Sequence, residues 1–165
     1  MIDVLAEEAR AAIEIPLQAG QGAPYGDLDA PMITQLPTWL WIDAAIWGQE
    51  SAETDPVFGF TVTATATPIN VTFATDAGDT VDCGANTGPP YNFAFDDSRQ
   101  HSDCTLTYRH SSAVGAHTLS STIYWAVSYT CTLYCSGPIP LEPFIITTTR
   151  EVRVAEFQAI ATANR

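Results

Sequence analysis

Residues 118–133 read TLSSTIYWAVSYTCTL. Leu119, Ser121, Ile123, Trp125, Val127, Tyr129, Cys131 and Leu133 fall on odd positions, and Thr118, Ser120, Thr122, Tyr124, Ala126, Ser128, Thr130 and Thr132 on even ones. A period of two held across the whole stretch excludes a helix and predicts a long strand with one face buried and one wet. Residues 58–67 repeat the pattern, with Phe60, Val62, Ala64 and Ala66 alternating with Thr61, Thr63, Thr65 and Thr67 before Pro68, which predicts the strand's end. Residues 70–75 predict the next strand, with Val71 and Phe73 inward, then a turn over 76–79 and a return over 80–83. Further strands are expected at 37–42, where Trp39 and Trp41 share a face, at 104–110, and from 144 to the region of 161 with a bulge or bend near Arg150 and Glu151. About seven strands separated by turn signals predict an all-β, antiparallel sandwich.

The composition suits that reading. Charged residues make up 15% of the chain, against roughly 25% in an average domain. Neutral hydroxyls fill the gap, with 21 threonines, stiff β-branched residues suited to an exposed strand face. The 19 acidic residues stand against six arginines and no lysine, for a formal net charge of −13. Such a surface repels phosphate backbones and anionic headgroups, which disfavours nucleic acid as a partner; it is read first as a device for solubility and second as an attraction for cations or basic partners. No run of 18 apolar residues predicts a membrane span.

The first 35 residues read as an arm or linker ahead of a domain over 36–165. Residues 3–13 predict a short helix capped by Asp3 and ended before Pro16, and 18–37 are rich in glycine and proline. The segment Met1-Ile2-Asp3-Val4 has neither a basic start nor an apolar h-region, so it is not read as a signal peptide. The expectation is a chain whose export segment was removed beforehand, because the cysteines favour an oxidising compartment. Cys83, Cys104, Cys131 and Cys135 lack a CxxC pair and a histidine at finger spacing, which argues against structural zinc. Four cysteines allow three full pairings. The strand readings favour Cys83 with Cys104, closing the long polar loop between two strands, and Cys131 with Cys135, pinching a hairpin tip. Closing the longer loop is worth about 3 kcal/mol in the chain-entropy model. Two disulfides imply an extracytoplasmic setting.

Several residues invite a chemical reading. Tyr91, Phe93 and Phe95 lie in the polar loop 84–103, where they either cover the core or present a partner-binding patch. Asp76, Asp79 and Asp82 surround one turn, and Asp96, Asp97 and Asp103 form a second cluster; both are weak calcium candidates, since carboxylates near a turn more often stabilise the turn itself. His101 and Asp103 form a conceivable pair, but no nucleophile elbow or HExxH motif joins them or His110 and His117. Trp39, Trp41, Trp47 and Trp125 are read as core in preference to a sugar platform. Asn70-Val71-Thr72 matches a glycosylation sequon and is read simply as a strand start.

The stretch Val71-Thr72-Phe73-Ala74-Thr75-Asp76-Ala77-Gly78-Asp79-Thr80 resembles the PKD domain, an immunoglobulin-like family whose Trp-x-Phe-Gly-Asp-Gly signature ends a strand and turns. Phe73 sits at the family's Trp position and Gly78 at its last glycine, while Asp76 and Ala77 fall where Gly and Asp are expected. Cys104-Thr105-Leu106-Thr107-Tyr108 resembles the family strand that ends in Tyr, and residues 118–127 the strand after the family's next turn. The segment from Leu36 to Trp41 and the ending Val152-Arg153-Val154-Ala155-Glu156 also look like a group of exported actinobacterial proteins of unknown function. The resemblance covers residues 36–160 and implies a β-sandwich, export and an interaction role, with no catalytic residues. The expected function is a non-catalytic extracytoplasmic module that binds a protein or glycan at the cell surface or serves a surface assembly, without a cofactor. The alternative is a hydrolase of extracellular polymers, which requires two opposed carboxylates about 5–9.5 Å apart in a cleft.

Overall fold

The computed structural model describes residues 1–17, 20–23, 31–85 and 88–156, with the side chains of residues 21–23 and of Asp97 left aside. Of the linker read over 18–37, residues 18–19 and 24–30 lie outside the described residues, as does the end of the last strand beyond 156, while residues 21–23 and 32–33 form short strands. Among the described residues one α-helix precedes ten strands: α1 (Ile2–Ala11), β1 (Gln21–Ala23), β2 (Met32–Ile33), β3 (Pro37–Trp41), β4 (Glu50–Glu53), β5 (Val62–Thr75), β6 (Thr80–Gly84), β7 (Thr105–Thr107), β8 (His117–Cys131), β9 (Ile139–Val152) and β10 (Val154–Ala155). The chain is therefore mostly β, as its alternation predicts, with more strands than the sequence suggests, the added ones being short. The largest sheet runs in the order β4-β5-β8-β9, with β6 also on β5.

β8 keeps its phase from Leu119 to Tyr129, with Leu119, Ser121, Ile123, Trp125, Val127 and Tyr129 all buried, but it ends at Cys131, and Leu133, expected on the same strand, lies beyond it half-exposed. β5 does not. It is one continuous strand, not two strands separated at Pro68. Val62, Ala64 and Ala66 are buried on even positions, whereas Val71, Phe73 and Thr75 are buried on odd ones, so the buried parity changes just after Pro68. The pairing explains why proline is tolerated. β4 pairs antiparallel with residues 63–66 and β6 antiparallel with residues 71–74, and neither register covers residues 67–70. Pro68, which has no N–H to donate, occupies that gap.

Two compact units emerge, and β5, β8 and β9 contribute residues to both. The first comprises Met1–Leu17, Ala44–Ile69 and Ile123–Ile146. Its core includes Ile46, Phe60, Val62, Ala64, Trp125 and Val127, together with Leu5, Ala6 and Ala9 of α1. The helix starts one residue earlier than expected. Met1 is its N-cap with no side-chain cap bond, and Asp3 lies in the first turn, where a carboxylate favours the helix dipole. Arg10, in the last turn, ties the helix to β9. Its Nε donates to the Glu142 carbonyl at 2.8 Å, and its guanidinium carbon lies 4.4 Å from the centre of the Phe144 ring.

The second unit comprises Gln18–Asp43, Asn70–Thr122 and Thr147–Arg165. β3 pairs antiparallel with both β1 and β7. β10 and β2 form a two-residue parallel pair, a departure from the purely antiparallel expectation. Leu40, Val71, Phe73, Leu106, Tyr108, Leu119 and Val154 are buried here. Hydroxyls join β8 to β9: Ser121 to Thr148 at 2.9 Å and Thr122 to Thr147 at 2.8 Å. The buried Ser121 oxygen also accepts the Gly20 N–H at 3.0 Å. Neutral hydroxyl bonds thus hold these neighbouring strands together, where like charges would repel.

Replacing Arg10 with Ala removes a charge-assisted hydrogen bond and a cation–π contact while leaving the helix propensity intact. Denaturant melts of Arg10→Ala are expected to show a loss of about 1–2 kcal/mol. An unchanged midpoint would mean the helix packs without this tether.

Candidate functional site

The loop from residue 84 to 103 is fixed at both ends. Cys83 in β6 and Cys104 just before β7 form a disulfide with a Cα separation of 5.2 Å, and Cys131 pairs with Cys135 at 5.4 Å. Both pairings are those the strand readings favour. Gly88 lets the loop close on itself: at φ +74, a Cβ there would lie 2.5 Å from Ser102 Oγ and 3.1 Å from Cys104 Cβ.

The apex is organised by Gln100, which the sequence reading passed over. Its Oε1 accepts the Asn92 N–H at 2.9 Å, and its Nε2 donates to the carbonyls of Asn92 at 2.9 Å and Phe95 at 3.0 Å. Asn92 Oδ1 accepts the Ala94 N–H at 2.9 Å. Within this frame Tyr91 packs edge-on against Trp39, with ring centres 5.3 Å apart at 89°. Phe93 packs against Tyr91 at 4.9 Å and 67°. Phe93 and Phe95 are nevertheless 43% and 54% exposed. Trp39 is therefore not wholly a core residue. Thr38 and Leu40 are buried on one side of β3, Trp41 is buried on the other, and Trp39 is left half-covered as the floor of the aromatic ridge.

The aspartates around the β5–β6 turn go to separate partners. Asp79 is buried, and its Oδ1 lies 3.2 Å from Arg109 Nε. Asp82 Oδ1 accepts the Gly84 N–H at 2.9 Å. Asp76 Oδ1 faces His117 Nδ1 at 3.1 Å, and His117 Nε2 faces the His110 carbonyl at 3.0 Å. His101 Nε2 meets Asp103 Oδ1 at 2.7 Å, in the open, with both side chains more than four-fifths exposed. Asp96 is exposed, and Asp97's side chain lies outside the description. Among the described residues no three His, Cys, Asp or Glu side chains converge as a metal site would require.

Beneath this turn, Tyr108 is fully buried and stacks parallel to His117, with centres 6.3 Å apart. Its hydroxyl has no hydrogen-bond partner among the described residues. Burial pushes its pKa up to about 12, with Asp79 and Asp76 adding to the rise and Arg150 opposing it. Burial likewise lowers the pKa of Arg150. An open cleft of about 820 Å³ lies nearby, lined by Thr34, Gln35, Leu36, Arg109, His110, Ser111 and Glu156. Glu156 is the one carboxylate among these lining residues, and it accepts the Ser111 hydroxyl at 3.5 Å. Comparison with protein-family models, curated proteins and solved structures found no match to this chain.

Gln100→Ala is expected to free the Asn92 amide and the two carbonyls, speeding hydrogen exchange at Asn92 and costing about 1–3 kcal/mol. Exchange at wild-type rates would show that the disulfide alone orders the loop. Tyr108→Phe removes an unsatisfied buried hydroxyl and is expected to stabilise the fold by up to about 1 kcal/mol. In the parent protein a phenol whose folded pKa lies above its unfolded value of 10.0 lends stability that is complete below pH 10 and is lost as pH rises through about 12. The loss amounts to about 2–3 kcal/mol. Alkaline denaturant melts should show it in the parent and not in Tyr108→Phe.

Proposed function

We propose that this chain is a non-catalytic module that works outside the cytoplasm and binds a protein partner at the cell surface through Tyr91, Phe93 and Phe95. The observation that carries this reading is the ridge itself: Phe93 and Phe95 are held half-exposed on a loop locked by Gln100 and the Cys83–Cys104 bridge. Rigid aromatic anchors lose little side-chain entropy on binding and are the residues that dominate protein interfaces. The crossed rings favour a protein over a glycan, since a sugar platform offers open ring faces and this ridge offers edges. A net charge of −13 favours a basic rim on the partner.

Two disulfides suggest an oxidising environment, which supports an extracytoplasmic address. The PKD-like, immunoglobulin-like sandwich reading draws support from three features. The β5–β6 turn has Gly78 at φ +92, where the family glycine falls; Tyr108 follows β7; and β8 keeps its strict alternation. The hydrolase alternative gains no support from the 820 Å³ cleft, whose described lining holds a single carboxylate.

The test is a photo-cross-linking amino acid placed at Phe93 or Phe95 and, as a control, at the exposed Val114, in the organism that makes the protein. Adducts of one defined mass to an envelope protein from positions 93 and 95, and not from 114, are expected. Equal labelling from all three positions, or adducts to polysaccharide alone, would defeat the protein-partner reading.

A further inference from the structure

A second exposed apolar feature lies in the first unit, and it is built against the backbone's own preferences. Val57 and Phe60 exchange backbone hydrogen bonds of 3.0 and 3.1 Å, closing a two-residue turn at Phe58 and Gly59. Both central residues have positive φ, +50 for Phe58 and +83 for Gly59, the signature of a type I′ turn. The first central position of that turn favours Asn, Asp or Gly. Here it holds a phenylalanine that is 89% exposed. Next to it is the Cys131–Cys135 loop. The Thr61 N–H donates to Thr132 Oγ1 at 3.1 Å, and the Thr132 N–H donates to the Thr61 carbonyl at 3.2 Å. That loop carries Leu133, 50% exposed, and Tyr134, 86% exposed and also at positive φ, +72. Bulky residues at positive φ cost of order 1–3 kcal/mol, persist where the surrounding structure holds them, and cluster at functional sites. Both rings face solvent, free to meet another molecule.

We propose that these paired tips, Phe58 with Leu133 and Tyr134, dock the protein on the interface of an uncharged, zwitterionic lipid bilayer. Size and charge select this occupant. Three side chains on two protruding turns fall far short of the roughly 800 Å² per partner that a stable protein contact needs. Interfacial anchoring, in contrast, requires only apolar side chains that enter the boundary by about 5–10 Å. Phenylalanine and leucine supply that depth, and tyrosine is a side chain of the membrane–water boundary. Residues 56–62 and 131–141 contain no charged side chain, while exposed Glu53, Asp55 and Glu142 flank them. Those acids and the net charge of −13 repel anionic lipid and complement the outward ammonium of a zwitterionic headgroup. This reading stands independently of the aromatic ridge.

The full-length protein is to be sedimented with phosphatidylcholine–phosphatidylethanolamine vesicles and with vesicles rich in phosphatidylglycerol. Binding to the zwitterionic vesicles is expected, weakened about tenfold by Phe58→Ser or Tyr134→Ser and unchanged by Val114→Ser. Phe58→Trp, which keeps an aromatic ring at the tip, is expected to add an emission component that shifts to the blue with the same vesicles. The proposal is overturned by absence of binding, by equal binding of the Ser variants, or by preference for the anionic vesicles. It is equally overturned if light scattering shows a dimer that both Ser variants dissolve, because the occupant is then a second copy of the chain.

Discussion

The unbroken inward face of β8 is the constraint on which the other elements depend. Trp125 at its centre is fully buried, although its indole N–H has no partner among the described residues. Burying an indole removes 150–250 Å² from water, worth about 4–6 kcal/mol. An unsatisfied donor costs about 1–3 kcal/mol. Packing wins, and the position stays aromatic despite its polar handle. β5 and β9 flank this strand in the sheet order, and hydroxyl pairs bind β9 on both faces, through the buried Ser121 and the outward Thr122.

Alternation made β8 and the first half of β5 legible in the sequence, and the same logic brought the cysteines into their observed pairs. It failed at Pro68 because a proline can end a strand or occupy an unpaired gap within one, and only the positions of β4 and β6 decide between the two. Trp39 was misplaced for a related reason. Period-two reasoning assigns one inward face, whereas β3 is covered on both sides, by core on one and partly by the Tyr91 loop on the other. The aromatic ridge was visible as Tyr91, Phe93 and Phe95 in a polar loop. Its anchor was not, because a glutamine that reaches back over eight residues leaves no local signature. Phe58 was hidden in the same way: it reads as the start of a strand until the backbone shows it at the apex of a turn.

The polar groups divide according to burial. Asp79, buried, has an arginine and a backbone amide facing it, while His101 and Asp103 pair with each other in the open. Buried charge demands a partner, and exposed pairs contribute little. The acidic excess accordingly shapes encounter with other molecules more than it shapes the fold.

The reversal of buried parity in β5 sets a rule for length variation in this chain. Removing or adding one residue between Pro68 and Val71 would rotate every side chain on one side of the change from core to water. A two-residue change would preserve both faces. Lineages descended from this sequence should therefore tolerate paired insertions at that point and purge single ones, a selective filter written into the strand by one imino acid.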